Sequence, residues 1–165
     1  MIERGSTEAG RQLNRDDYLT VSLTTIVVLD DGETIESPRV KAEAGAMAMA
    51  SIHYSYDQYR QFGRAPGSRL DGIWDEYTAM LEDYDPERIH QRVHAGHNCW
   101  VLPEEERFVT PELIDATCIV GTADQIIDRL VELDERGLDQ LMILPNFDPR
   151  FEVLEKIGQE IIPNL

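Results

Sequence analysis

Four side chains that can bind metals, move protons or attack electrophiles fall close together: His90, His94, His97 and Cys99. Trp100 follows directly, and then the acidic run Glu104-Glu105-Glu106. His90 and His94 stand at i, i+4, which places them on one face of a helix. His94-x-x-His97-x-Cys99 offers the nitrogen and sulfur donors that zinc accepts. The spacing matches no standard zinc pattern, however, and Gly96 interrupts the helix, so no metal is expected. Two readings of the histidines stay open. They face a substrate and transfer protons near neutral pH, or they are structural imidazoles held by hydrogen bonds. Glu104–Glu106 reads as a solvated turn. Upstream, residues 52–85 are rich in aromatics, including His53, Tyr54, Tyr56, Tyr59, Trp74 and Tyr77. From these stretches the candidates for a substrate pocket are His94, His97, Trp100, Tyr54 and Tyr56.

A second place for chemistry is Gly121-Thr122-Ala123. A helix that starts after a glycine presents free backbone N–H groups, which can hold a phosphate or a carboxylate. Asp124 in the same first turn would compete with a bound anion, and plain capping explains the residues equally well. No arrangement of nucleophile, base and orienting acid is visible. Neither a P-loop nor a Gly-x-Gly-x-x-Gly fingerprint occurs.

The elements that must position these residues are clearest toward the end of the chain. Thr122 with Gln125 three residues later forms a capping box. Ile126, Ile127, Leu130, Val131 and Leu133 give the following helix an apolar face, and Gly137 stands where such a helix ends left-handed. Leu141-Met142-Ile143-Leu144 is an unbroken apolar run, as in a strand buried on both faces. Asp148-Pro149 predicts the next helix start, with Asp148 as the cap, and Phe151, Leu154, Ile157 and Ile161 predict its apolar side. Earlier, residues 1–13 read as the end of a helix and Asn14–Asp17 as a loop. Tyr18 to Leu29 is a strand that closes at the Asp30-Asp31-Gly32 turn. Ser37-Pro38 starts an alanine-rich packing helix running to about Ser51. Gly63 to Gly67 divides the aromatic region into two short helices. Thr110-Pro111-Glu112 starts another helix, which leads into Cys118-Ile119-Val120-Gly121. Cys118, flanked by apolar residues, reads as a buried and inert thiol. Strand and helix alternate, which is the order of an α/β fold.

The chain has 165 residues and a formal net charge of −17. Two of its basic residues are lysines, Lys41 and Lys156. A surface this acidic repels phosphate backbones and anionic lipid, so neither nucleic acid nor membrane is expected as a partner. Self-repulsion of this size is relieved by salt, which makes adaptation to high salt a second reading of the charge. With no secretory signal pattern and no apolar run of about 18 residues, the sequence reads as cytoplasmic, with free thiols at Cys99 and Cys118.

Gly121-Thr122-Ala123-Asp124-Gln125-Ile126, then Arg136-Gly137-Leu138-Asp139-Gln140 and the apolar run, resembles the C-terminal end of luciferase-like flavin-dependent oxidoreductases. The Val109–Glu112 helix start strengthens the resemblance, which takes in most of residues 1–165. It implies part of a (β/α)8 barrel, with C-terminal strands and helices and a helical insertion, or lid, at residues 52–109 inside one domain. It also implies FMN or the deazaflavin coenzyme F-420 as cofactor, with a small-molecule substrate. The family's main cofactor contacts come from earlier strands that have no counterpart here, so the resemblance assigns no catalytic residue. A whole barrel of this type needs roughly 250 residues, and Met1 falls where the family's chain is at its middle. Either a partner supplying the N-terminal barrel or a homo-oligomer is therefore expected. The alternative is a non-catalytic remnant that associates through exposed strand edges.

Overall fold

Val21 to Val28 is the segment on which both strand pairs are built. The computed structural model describes residues 2–64 and 66–165; Met1, and Ala65 in the expected Gly63–Gly67 break, lie outside the described residues. The predicted Tyr18–Leu29 strand is divided at Thr25 into β1 (Val21–Thr24) and β2 (Ile26–Val28). β1 pairs in parallel with β4 (Gln140–Ile143), Val21 opposite Gln140 and Thr24 opposite Ile143. β2 pairs in parallel with β3 (Ile119–Gly121), Ile26 opposite Ile119. The Thr24 carbonyl accepts from the Leu144 N–H, and the Thr25 carbonyl from the Ile119 N–H. Adjacent carbonyls of an extended chain point to opposite edges. The Val21–Val28 segment therefore holds β4 on one edge and β3 on the other, and the consecutive strands β3 and β4 are not neighbours.

The alternation along β2 separates two cores. Val27 packs with α2 (Pro38–Phe62), α3 (Trp74–Leu81), α4 (Ile89–Val93) and α5 (Pro111–Thr117). Ile26 and Val28 pack with α6 (Ala123–Glu135) and α7 (Arg150–Glu160). The result is an α/β arrangement of parallel strands and helices. Among the described residues no helix is long and apolar enough to cross a membrane.

Several local signals hold. Thr122 and Gln125 form the reciprocal capping box, Thr110 caps α5 through the Leu113 N–H, and Gly137 has φ +91°. Other expectations are corrected. The first helix, α1, covers only Ile2–Glu8. Its weak apolar side finds no core: Ile2 and Leu13 are both exposed. α2 does not stop near Ser51 but continues through the aromatic stretch to Phe62, because nothing before Gly63 (φ +62°) breaks it. The run Leu141–Leu144 is not buried on both faces: Met142 is 45% exposed, since only one face of β4 meets the α7 side. α7 begins at Arg150, with Pro149 rather than Asp148 at its cap position. Its buried side is Val153, Ile157 and Ile161, while Phe151 and Leu154 are exposed. On α6, Val131 is likewise exposed.

α2 is alanine-rich for a reason of space. A Cβ on Gly45 would stand 2.8 Å from Val101 Cγ2. A close approach of this kind between helix and loop admits only glycine without a shift. It brings the 94–101 loop against the first half of α2.

Candidate functional site

The long α2 carries His53 and Asp57, one turn apart, toward the loop after α4. The His53 Nδ1 lies 3.0 Å from the His97 Nδ1, and the His94 Nε2 lies 2.8 Å from the Asp57 carboxylate. Ring centroids are 5.3 Å apart for His53 and His97, 4.9 Å for His94 and His97, and 6.3 Å for His53 and His94. Two of the predicted pocket residues, His94 and His97, are thus brought together with a third histidine. His90 does not join these contacts.

Beneath them is a buried polar layer. Glu105 is 1% exposed and His53 2%, and their closest atoms, His53 Nε2 and a Glu105 oxygen, are 3.5 Å apart. Arg92 donates to Glu105 at 3.0 Å and to Glu104 at 2.9 Å. Glu105 is therefore not part of a solvated turn, as the acidic run suggested: Arg92, reaching from α4, draws it inside as a charge partner. Tyr77 is fully buried above this layer. Burial, then the Glu105 charge, holds its hydroxyl well above the usual phenol value. His53 Nε2, Tyr77 Oη, Arg92 Nε and Glu105 Oε2 are buried without a hydrogen-bond partner among the described residues. The Glu105 charge next to His53 Nε2 favours the tautomer protonated there. In that tautomer His53 Nδ1 accepts and His97 Nδ1–H donates. Burial, followed by the neighbouring His53 and His94, holds the His97 imidazole below the usual histidine value.

The turn after His94 is closed on itself. Both Cys99 N–H and Trp100 N–H donate to the Gly96 carbonyl. Asn98 takes φ +59°, a left-handed conformation that asparagine accepts more readily than most residues. Gly96 (φ +72°) lies under the indole: a Cβ there would stand 2.7 Å from Trp100 Nε1.

On the far side of this turn is a cavity of about 600 Å³. Its walls are the start of α2 (Pro38, Lys41, Ala42), the Cys99–Val101 loop, and Asn146–Phe147 after β4. The Phe147 N–H donates to the Cys99 carbonyl at 2.9 Å, and the Asn146 side chain donates to the Ala42 carbonyl. These bonds join the three walls. Trp100 and Phe147 are 56% and 58% exposed and offer aromatic faces. Lys41 has no carboxylate within ion-pair distance among the described residues. The Asn146–Phe147 wall follows the carboxyl end of β4, and α/β sheets place ligands beyond such ends.

The remaining predicted residues lie elsewhere. Tyr54 is exposed on α2, and Tyr56 packs against Trp74 and Tyr77. At Gly121-Thr122-Ala123, the Thr122 N–H donates to Gln125 and the Gln125 N–H to Thr122. Cys118 is buried, and burial pushes its thiol up to about 11. Among the described residues no group of three or more His, Cys, Asp or Glu side chains is placed to hold a metal ion. Sequence reasoning missed His53, Arg92 and Glu105 as a cluster. The available signal was helical: Met49, Ile52, His53 and Tyr56 continue the inward face of α2 past Ser51.

No protein-family profile matches the sequence, and no solved structure matches it. The chain is 27% identical over 138 residues to 2,5-diketocamphane 1,2-monooxygenase 2 of Pseudomonas putida, covering 81% of this chain and 31% of that protein. It is 25% identical over 164 residues to 5,10-methylenetetrahydromethanopterin reductase of Methanopyrus kandleri, covering 99% of this chain and 39% of that one. A 58-residue stretch is 40% identical to the reductase of the same name from Archaeoglobus fulgidus, covering 34% of this chain and 18% of that protein. The chain thus spans less than half the length of the curated relatives it matches, and their names are those of a monooxygenase and two reductases.

Proposed function

We propose that this chain is the substrate-side portion of a luciferase-like oxidoreductase that works with FMN or the deazaflavin F-420. The observation that carries this reading is the alignment of nearly the whole chain with a reductase and of most of it with a monooxygenase. The cavity past the end of β4 supports it. Two exposed aromatic faces, Trp100 and Phe147, suit a planar ring, and apolar Pro38, Ala42, Val101 and Val109 exclude water around it. The cofactor, when bound, supplies the hydride or the activation of oxygen; the protein supplies orientation and charge. Lys41, an ammonium with no carboxylate partner among the described residues, can donate to a carbonyl or anionic edge of a ring system. In this reading the elements that hold most of the cofactor come from an N-terminal barrel partner. The partial-barrel architecture belongs to the same proposal.

Size-exclusion chromatography with FMN or F-420, on this chain alone and together with an N-terminal fragment of a family member, tests the reading. Cofactor absorbance should co-elute with the protein, and Lys41→Ala should weaken binding about tenfold, or about 1.4 kcal/mol. Failure of both cofactors to bind, even with the partner fragment, overturns it.

A second reading is a non-catalytic remnant that self-associates. One observation favours it: Val21, Leu23 and Met142 make an exposed apolar row on one face of β1 and β4, with Leu19 beside it. A monodisperse monomer in light scattering would count against it.

A further inference from the structure

We propose that the His53–His97 contact is a proton-operated latch on the cavity wall, which holds the 94–101 loop closed at neutral pH and releases it in acid. The proposal rests on the reading of the cavity as the ligand site, and it adds a means of regulating that site.

The geometry is specific. Two Nδ1 atoms 3.0 Å apart form one hydrogen bond, and that bond needs one protonated and one unprotonated Nδ1. A first added proton can go to the Nε2 of His97, which leaves the bond in place. A second must go to His53 Nδ1, and then two N–H groups face each other and the bond becomes a repulsion. The groups that face the pair come from every element around it. They are Asp57 on α2, Tyr77 on α3, Arg92 and His94 on and after α4, and Glu105, with Glu104 on the outer side of Arg92. Asp57 is engaged by His94 and Glu105 by Arg92, so neither carboxylate is free to neutralise a doubly charged pair.

The latch bears on the cavity because one tight, hydrogen-bonded turn connects the two. His97 lies in the same tight turn as Cys99 and Trp100, which is closed on the Gly96 carbonyl. Cys99, Trp100 and Val101 are cavity walls, and the Cys99 carbonyl holds the Phe147 N–H on the opposite wall. The loop is also tied to α2 by His94 on Asp57 and to the opposite wall by the Cys99 carbonyl; breaking the His53–His97 bond removes the α2 anchor that lies closest in sequence to Cys99 and Trp100.

The sign follows from linkage. Burial keeps the His97 imidazole below the usual histidine value in the folded chain. Because the bond survives the first added proton and not the second, the closed state excludes the doubly protonated pair and is favoured fully above the unfolded histidine value, about 6.5. That contribution is lost as the pH falls below it.

Trp74 and Trp100 are the two tryptophans, so Trp74→Phe leaves Trp100 as the single reporter in the loop. In that variant, acrylamide quenching of Trp100 should rise at least about twofold as the pH falls from about 8 to about 5, with a midpoint below about 6.5, while far-UV circular dichroism stays unchanged. Adding His97→Asn should flatten the response. An asparagine amide can donate to His53 Nδ1 or, flipped, accept from it. Adding His94→Gln instead should leave the response in place. A flat profile in Trp74→Phe overturns the latch, as does an equal response with His97→Asn, or loss of helical signal in the same pH window. Should His97→Asn not fold, imidazole ¹H–¹⁵N correlations on the unaltered chain decide. The latch requires one ring protonated at Nδ1 and one at Nε2 at neutral pH, and two rings of the same tautomer would overturn it. None of these measurements uses a cofactor, so a chain that binds no flavin but releases Trp100 in acid refutes the functional reading and not the latch.

Discussion

Arg92 is the residue on which the buried polar layer depends most. Its two donors hold Glu105 and Glu104, and its guanidinium also lies over the Tyr84 ring, 5.1 Å from the centroid. A buried carboxylate that loses its partner is costly, typically by about 3–5 kcal/mol, whereas replacing both members with apolar groups is often neutral. Arg92→Met should therefore lower stability in urea by about 3 kcal/mol or more, and Arg92→Met with Glu105→Met should recover most of the loss. Equal losses in the single and double variants would mean that the pair is not what stabilises this layer. At this scale little of the site was legible beforehand. His94 and His97 stood out because they are close in sequence. Glu105 was misread because a run of three glutamates carries no sign of which member turns inward. The partner that turns it, Arg92, sits on a different element.

At the scale of elements, capping chemistry was the most readable. Thr110, Thr122, Gln125 and Gly137 act through neighbours within a few residues, so sequence alone contains the whole interaction. The failures share one physical cause. How far α2 runs, which face of β4 is covered, and which side of α7 turns inward are set by packing partners far away in the chain. Phe151 and Leu154 have the right spacing for a buried face, but the surface they would meet is not there. Gly45 shows the same dependence from the other direction, since its need for space is set by Val101. Gly45→Ala gains helix propensity of about 1 kcal/mol but forces Val101 aside, at a typical overpacking cost of 1–3 kcal/mol. The expected net loss is about 1 kcal/mol, measurable as a lower urea midpoint, with a displaced Val101 methyl resonance. A gain in stability with no shift at Val101 would mean that the loop yields freely.

For the whole molecule, charge is the dominant fact. The formal net charge is −17 on 165 residues, and ion pairs such as Arg39 with Glu33 and Glu43 offset only part of it locally. Arg39 is the main reason the Glu33 carboxyl is held down to about 2. Screening acts on the long-range repulsion that remains, because the Debye length falls to about 3 Å near 1 M salt. Added potassium chloride, up to about 1 M, should therefore raise the urea midpoint steadily. A midpoint that is flat or falling with salt would show that local ion pairs outweigh the net repulsion. Composition alone made this visible. The order of the sheet was not visible, because the apolar runs give the strands without saying which edge each one takes.

That order has a consequence for how the chain is made. β1 leaves a ribosome well before its partner β4, and α7, which covers Ile26 and Val28, comes later still. No short-range hairpin can hold the early strand meanwhile, and contacts this distant in sequence form slowly. During synthesis the segment from Val21 to Val28 is thus a strand with both edges open, and its two sides are completed only when β3, β4 and α7 arrive. Without the segment from Gln140 onward, β1 would have no strand partner on that edge.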